Sequence, residues 1–183
     1  MKNKTLLLVI GMILLAAISR LIPHLPNFTP IGAIALFAGV YLQSRRLQLL
    51  VPIAALLVSD ILLELAYGSG FHGLMPYTYG SVLLIALMGS NWLKNKVSTG
   101  NLLLGSLTGS IIFFLITNFG VFTGGYYGPG VFGLASCYIA GIPFFHYTLL
   151  GDLVYNIILF KSFQLVYNNS ILTNSQNKPL GQV

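Results

Sequence analysis

The chain has 183 residues, 56% hydrophobic and 7% charged, with a mean hydropathy of +0.85. Side chains of that composition cannot clothe a water-soluble surface, so the chain is expected to be an all-α integral membrane protein embedded in the lipid bilayer. The net charge of +6 does not signal nucleic acid, because the basic residues come in short pairs at the ends of apolar runs, not in a stripe interleaved with aromatics.

Six apolar runs follow one another, at about 5–22, 30–43, 47–67, 78–93, 101–122 and 142–161. A bilayer-spanning helix takes about 20 apolar residues, so the second run is short and the fourth marginal. Lys2 and Lys4 ahead of the first run resemble a secretory signal, yet Arg20, Leu21, Ile22 and Pro23 stand where small cleavage-site residues would be needed. The first run is therefore expected to be retained as a helix.

Lys and Arg in short loops mark the cytoplasmic side. With the N-terminus inside, Lys2, Lys4, Arg45, Arg46, Lys94, Lys96, Lys161 and Lys178 all face the cytoplasm, and removing the second span would break that pattern. Six transmembrane helices with both termini inside (N-in/C-in) is the economical topology. Residues 1–167 form one domain, and the polar stretch 168–183 is expected to be a disordered cytoplasmic tail. Trp92, at the inner end of the fourth span, is expected to be an interfacial anchor.

The three outer connections carry no Lys, Arg, Asp or Glu. The first, Pro23 to Pro30, holds three prolines that forbid a regular helix. The second, Tyr67 to Tyr77, holds three glycines, His72 and Pro76. The third, Thr123 to Gly141, exceeds usual loop lengths and is expected to be a lid or a re-entrant segment. Tyr126, Tyr127 and Tyr138 there are candidates to stack on a flat ligand, an interface belt being the alternative role for such rings.

Arg20, Asp60, Glu64 and Asp152 lie within the runs, where a charge costs at least ~2.5 kcal/mol and normally faces a partner, cavity or ligand. Arg20 and Asp60 fall at similar depths in the outer half, with Glu64 one turn further out on the same face as Asp60, so either an ion pair with Asp60 or Glu64 joining the first and third helices or a ligand contact accounts for Arg20. Asp152 sits nearer the midplane and fits either a buried network or a ligand contact. Asn118 and His146, near the outer ends of the fifth and sixth spans, complete a candidate ring with Asn27 and Thr29. In this ring Arg20 would orient a carboxylate or phosphate and Asn118 and His146 would supply hydrogen bonds. The single cysteine, Cys137, excludes an internal disulfide, and three scattered histidines do not make a metal site. No cofactor, metal or catalytic group is expected.

The stretch Arg20-Leu21-Ile22-Pro23-His24-Leu25-Pro26-Asn27-Phe28-Thr29-Pro30-Ile31, together with Ser59-Asp60, Phe113-Phe114, Thr117-Asn118-Phe119-Gly120, Ile142-Pro143-Phe144-Phe145 and Gly151-Asp152, resembles an uncharacterised bacterial family of membrane proteins linked to transport. That family is in turn similar to the substrate-binding S components of energy-coupling factor (ECF) transporters. The resemblance implies a six-helix bundle in the bacterial cytoplasmic membrane that captures a vitamin-like micronutrient from outside. It implies a transmembrane coupling subunit and two cytoplasmic ATPases as partners, and inward delivery by toppling of the subunit. Flavin, thiamine, biotin, folate and corrinoid types are all open as ligands. The chain has no G-x-x-x-x-G-K-[ST] motif, so ATP-driven work would fall to partners. Small-residue pairs Ala35/Gly39, Gly105/Gly109 and Ser106/Ser110 are expected to serve internal helix packing. The alternatives are a solitary proton- or ion-coupled transporter using Asp60, Glu64 and Asp152, and a membrane enzyme. For the latter, His146 and Asp152 lie about 240° apart on one helix and make a poor direct pair.

Overall fold

The computed structural model describes residues 2–176, and the side chains of residues 4–167. These residues form six α-helices: α1 (Lys2–Ile18), α2 (Ile31–Tyr41), α3 (Arg45–Tyr67), α4 (Met75–Met88), α5 (Thr99–Thr123) and α6 (Gly130–Gln176). A 3₁₀ turn, Ser19–Leu21, prolongs α1, and one π-helical turn, Gly89–Leu93, prolongs α4. Local chemistry marks several ends. Ser44 and Ser98 cap α3 and α5 by accepting from the N–H groups of Leu47 (3.3 Å) and Asn101 (3.2 Å), and Gly68, at φ 63°, turns the chain out of α3.

Four stretches are long and apolar enough to cross a membrane: Lys4–Leu21, Arg45–Tyr67, Thr99–Thr123 and Gly130–Tyr167. Leucines and isoleucines on their outward faces are exposed, Leu7, Leu15 and Leu65 among them, as lipid contact requires. The protein is thus a multi-pass membrane protein.

The second apolar run behaves differently from a simple span. α2 has 11 residues, roughly 16 Å of helix, about half of a ~30 Å hydrocarbon core. Every residue from Ile31 to Val40 is buried. A helix apolar all round belongs inside a bundle, and α2 is the central element that the others surround. Its tight fit comes from small residues: a side chain on Gly39 would strike the Ala86 carbonyl, and one on Gly89 the Leu36 carbonyl. The pairs Gly105/Gly109 and Ser106/Ser110 likewise face inward, against Leu36 and Ile85 and against α6.

At this end Gln48 Nε2 donates to the Leu42 carbonyl (2.8 Å), Ser90 Oγ to Gln48 Oε1 (2.7 Å), and Arg45 Nη1 to Ser90 Oγ and Asn91 Oδ1 (3.0 and 2.8 Å). Lys94 Nζ reaches the Leu42 carbonyl at 3.4 Å. Trp92 is more than an anchor, since it packs on the core beside Gly105. The described basic residues outside the apolar runs gather at this end of the bundle; Lys178 lies outside the described residues.

The third outer connection is not a long loop. The chain turns within residues 124–129, where Gly125 and Gly128 adopt φ values of 82° and 75° open to glycine at little cost. Residues 130–141 are already helical and form the first three turns of α6. The sixth helix therefore starts well before residue 142, because packing against α5 compensates the weak helix propensity of Gly133 and Gly141. α5 and α6 run antiparallel in continuous contact, from Cys137 Sγ on the Asn118 carbonyl (3.3 Å), through Ser110 Oγ donating to Asp152 Oδ2 (2.7 Å), to Asn156 Nδ2 donating to Ser106 Oγ (2.9 Å). At its other end α6 continues through Gln176, into the stretch read as a disordered tail, where no Gly or Pro interrupts it. Residues 177–183 of that stretch lie outside the described residues.

Candidate functional site

The loop between α1 and α2 is exposed over residues 22–27 and turns into the bundle at residues 28–30. Its Phe28–Thr29 backbone rests on Gly151 of α6, a position where a side chain would press against it. The Phe28 ring stands 6.0 Å from that of Tyr155. Next along α6, the Asp152 carboxylate accepts from Ser110 Oγ and from the Ala33 backbone, and occupies the space a Gly32 side chain would need. Asp152 thus caps the N-terminus of α2, where the preceding Pro30 has no side-chain donor or acceptor to offer. The Gly151-Asp152 pair seats the loop and starts the central helix, so Asp152 is a structural network member and does not line the cavity described below.

Arg20, in the turn after α1, donates through Nη1 to Asp60 Oδ1 (2.6 Å) and to Ser59 Oγ of α3. Tyr79 of α4 donates its hydroxyl to the other Asp60 oxygen, Oδ2, at 2.7 Å. The side chains of Arg20 and Asp60 are 11% and 4% exposed. Glu64, one turn further along α3, points elsewhere: its Oε2 accepts from the N–H groups of Gly70 (2.9 Å) and Phe71 (3.1 Å) and pins the α3–α4 loop. Tyr67 donates its hydroxyl to the Leu21 carbonyl (3.0 Å), tying α3 to the Arg20 turn.

Above α2, away from the basic end, lies a cavity of about 470 Å³. Arg20, Asn27 and Thr29 line it from the first loop, Ile31 from the start of α2, and His72, Leu74 and Thr78 from the α3–α4 connection and α4. Phe113, Thr117, Asn118 and Val121 line it from α5, and Tyr127, Cys137, Ala140, Gly141 and Phe144 from the turn and first part of α6. Asn27 holds a left-handed backbone, φ 62°, an uncommon state that asparagine tolerates better than most residues.

Five of the ten residues singled out by sequence therefore meet: Arg20, Asn27, Thr29, Asn118 and Tyr127. Asp60 stands behind Arg20 and orients it. Asn118 also has a packing role, since Nδ2 donates to the Phe114 carbonyl (2.8 Å) and Oδ1 lies against Gly141, where any side chain would collide. Tyr138 donates to the Leu115 carbonyl (2.6 Å) with its ring edge-on to Phe114, which fastens α6 to α5. Tyr126 is 85% exposed, and His146 is exposed on α6; neither lines the cavity. Tyr126 lies in the turn between α5 and α6 as expected but faces outward, and His146 lies on the sixth helix as expected but is exposed away from the cavity lining.

Sequence reasoning did not single out Thr78, and Phe144 entered only as part of the Ile142-Pro143-Phe144-Phe145 motif. The positions 113, 117 and 121 carried a usable signal, since a four-residue spacing puts Phe113, Thr117 and Val121 on one face of α5. A smaller cavity of about 240 Å³, bordered by Ser106, Asn156 and Lys161, lies between α5 and α6 at the basic end.

Fold and cavity together define an all-α multi-pass membrane protein with a partly polar, open cavity at one end of its helices. The chain belongs to a family of unknown function, DUF6580, whose model matches residues 1–175. No curated protein and no solved structure matches the chain.

Proposed function

We propose that the chain is the substrate-binding membrane subunit of an ECF-type transporter, capturing a vitamin-like micronutrient in the 470 Å³ cavity. The observation that carries this reading is the joint assembly of that chamber by Arg20, Asn27, Thr29 and Ile31 with Thr117 and Asn118, residues from the motifs that resemble the transport-linked family, which is in turn similar to S components. A chamber of this size, apolar with a few convergent polar groups, suits a small organic ligand. The described basic residues collect at the opposite end, which supports an inner-membrane topology with both termini cytoplasmic, six crossings and the cavity on the extracytoplasmic side. On this reading the chain has no catalytic group, and a coupling subunit with two ATPases supplies the work.

The three intramembrane carboxylates are each committed to a separate structural partner: Asp60 to Arg20, Glu64 to a loop and Asp152 to the start of α2. They do not join into a proton relay. The test is uptake into proteoliposomes: a membrane extract or purified ligand should accumulate only when the coupling subunit and ATPases are co-reconstituted. Robust gradient-driven accumulation by the chain alone would replace this reading with a secondary transporter. Native mass spectrometry of the purified chain tests whether a small molecule co-purifies with it.

A further inference from the structure

We propose, building on the binding-subunit reading, that the cavity takes a compact ring compound carrying a single carboxylate or phosphate, held by the edge of Arg20 that Asp60 leaves free. Both of the Arg20 contacts run through Nη1 alone. An end-on pair of this kind leaves the Nη2–Nε edge, two parallel donors whose spacing matches the two oxygens of a carboxylate or phosphate. Asp60 does not compete for that edge, because its second oxygen is occupied by the Tyr79 hydroxyl. Among the described residues no Asp or Glu lines the cavity, and Arg20 is the one permanently charged side chain that does. The fork is thus held in place from behind before any ligand arrives, which lowers the ordering cost of binding.

The rest of the chamber suits an uncharged body. Phe113, Phe144 and Tyr127 supply aromatic walls, and Thr78 and Thr117 supply hydroxyls. A volume of about 470 Å³ fits a ligand of on the order of twenty non-hydrogen atoms. A thiamine-type cation would find no carboxylate among the described lining residues to pair with.

Thermal unfolding of the purified full-length chain in detergent tests the inference, with benzoate, phenyl phosphate and neutral benzamide as probes at concentrations on the order of 10 mM, as fragments of this size require. Both acids should raise Tm in a concentration-dependent way while benzamide does not; the stronger acid tells carboxylate from phosphate. Arg20→Lys should abolish the preference for acids. Ala140→Phe adds bulk to the cavity wall and should abolish the rise, so the test stands even if Arg20→Lys does not fold. Equal stabilisation by benzamide, an acid response that survives Ala140→Phe, or no response to either acid overturns the proposal. The two readings fail separately: a neutral co-purified ligand would sink the anion class and leave the subunit reading, whereas acid binding by a chain that transports alone would do the reverse.

Discussion

At the basic end of the bundle, helices touch backbone to backbone: Gly39 lies on the Ala86 carbonyl, Gly89 on the Leu36 carbonyl, and Gln48, Ser90 and Arg45 close the remaining polar groups in a chain of hydrogen bonds. At the other end the same helices diverge around a chamber, and the contacts between them are made by side chains: Arg20 to Asp60, Tyr79 to Asp60, Tyr77 to Thr123 at 2.9 Å. Small residues bring backbones together and leave no room, whereas long side chains hold helices apart and leave a space they can border. The short α2 explains why both regimes occur in one bundle. It fills the axis at the basic end and stops partway, so that the remaining depth is available for a ligand.

This contrast predicts that substitutions at the packed end change stability without changing ligand response, and substitutions around the chamber do the opposite. Asp60 is the strongest challenge to it, since it sits at the chamber end yet secures a charge in the apolar bundle. Asp60→Ala strands Arg20 and should cost about 3–5 kcal/mol, read as loss of folded protein in detergent; a Tm near wild type would mean that Arg20 finds water through the chamber. Gly39→Val should cost about 1–3 kcal/mol by pushing α2 off Ala86, with any remaining folded protein keeping its response to ligand. Asp152→Ala removes the cap of α2 and should cost about 1–2 kcal/mol, with Asp152→Asn recovering part of that loss. Thr117→Val should leave Tm nearly unchanged and weaken capture of the co-purified ligand several-fold, measured by calorimetry. His146→Ala should change neither quantity beyond about 0.5 kcal/mol; a clear loss of affinity would return His146 to the site.

Much of the architecture was legible from the apolar runs and the basic residues between them, because in a membrane both are dictated by the solvent and not by particular neighbours. The Arg20 and Asp60 depths were legible for the same reason: helix rise converts sequence position into depth. The pairing of Arg20 with Asp60 was one of three open readings, beside Glu64 and a ligand contact, and the structure shows the Asp60 pair with Arg20 also bordering the cavity. The third connection misled, since a stretch dense in glycine and tyrosine reads as loop whether or not a neighbouring helix stabilises it. Gly141 looked like a loop glycine and is a helix contact that lets Asn118 in.

By itself, then, the sequence determined a membrane-embedded all-helical chain, its order of helices, and which charged residues needed a partner within the bilayer, since these follow from burial costs that each residue carries with it. Only the tertiary structure decided that α2 is an enclosed half-length helix, that Asp152 caps it, and that Asn27, Thr29, Asn118 and Tyr127 share a chamber with Arg20 while His146 does not. Those outcomes depend on the rotation of each helix and on where glycines allow backbones to meet, and both are settled by contacts between residues far apart in the chain.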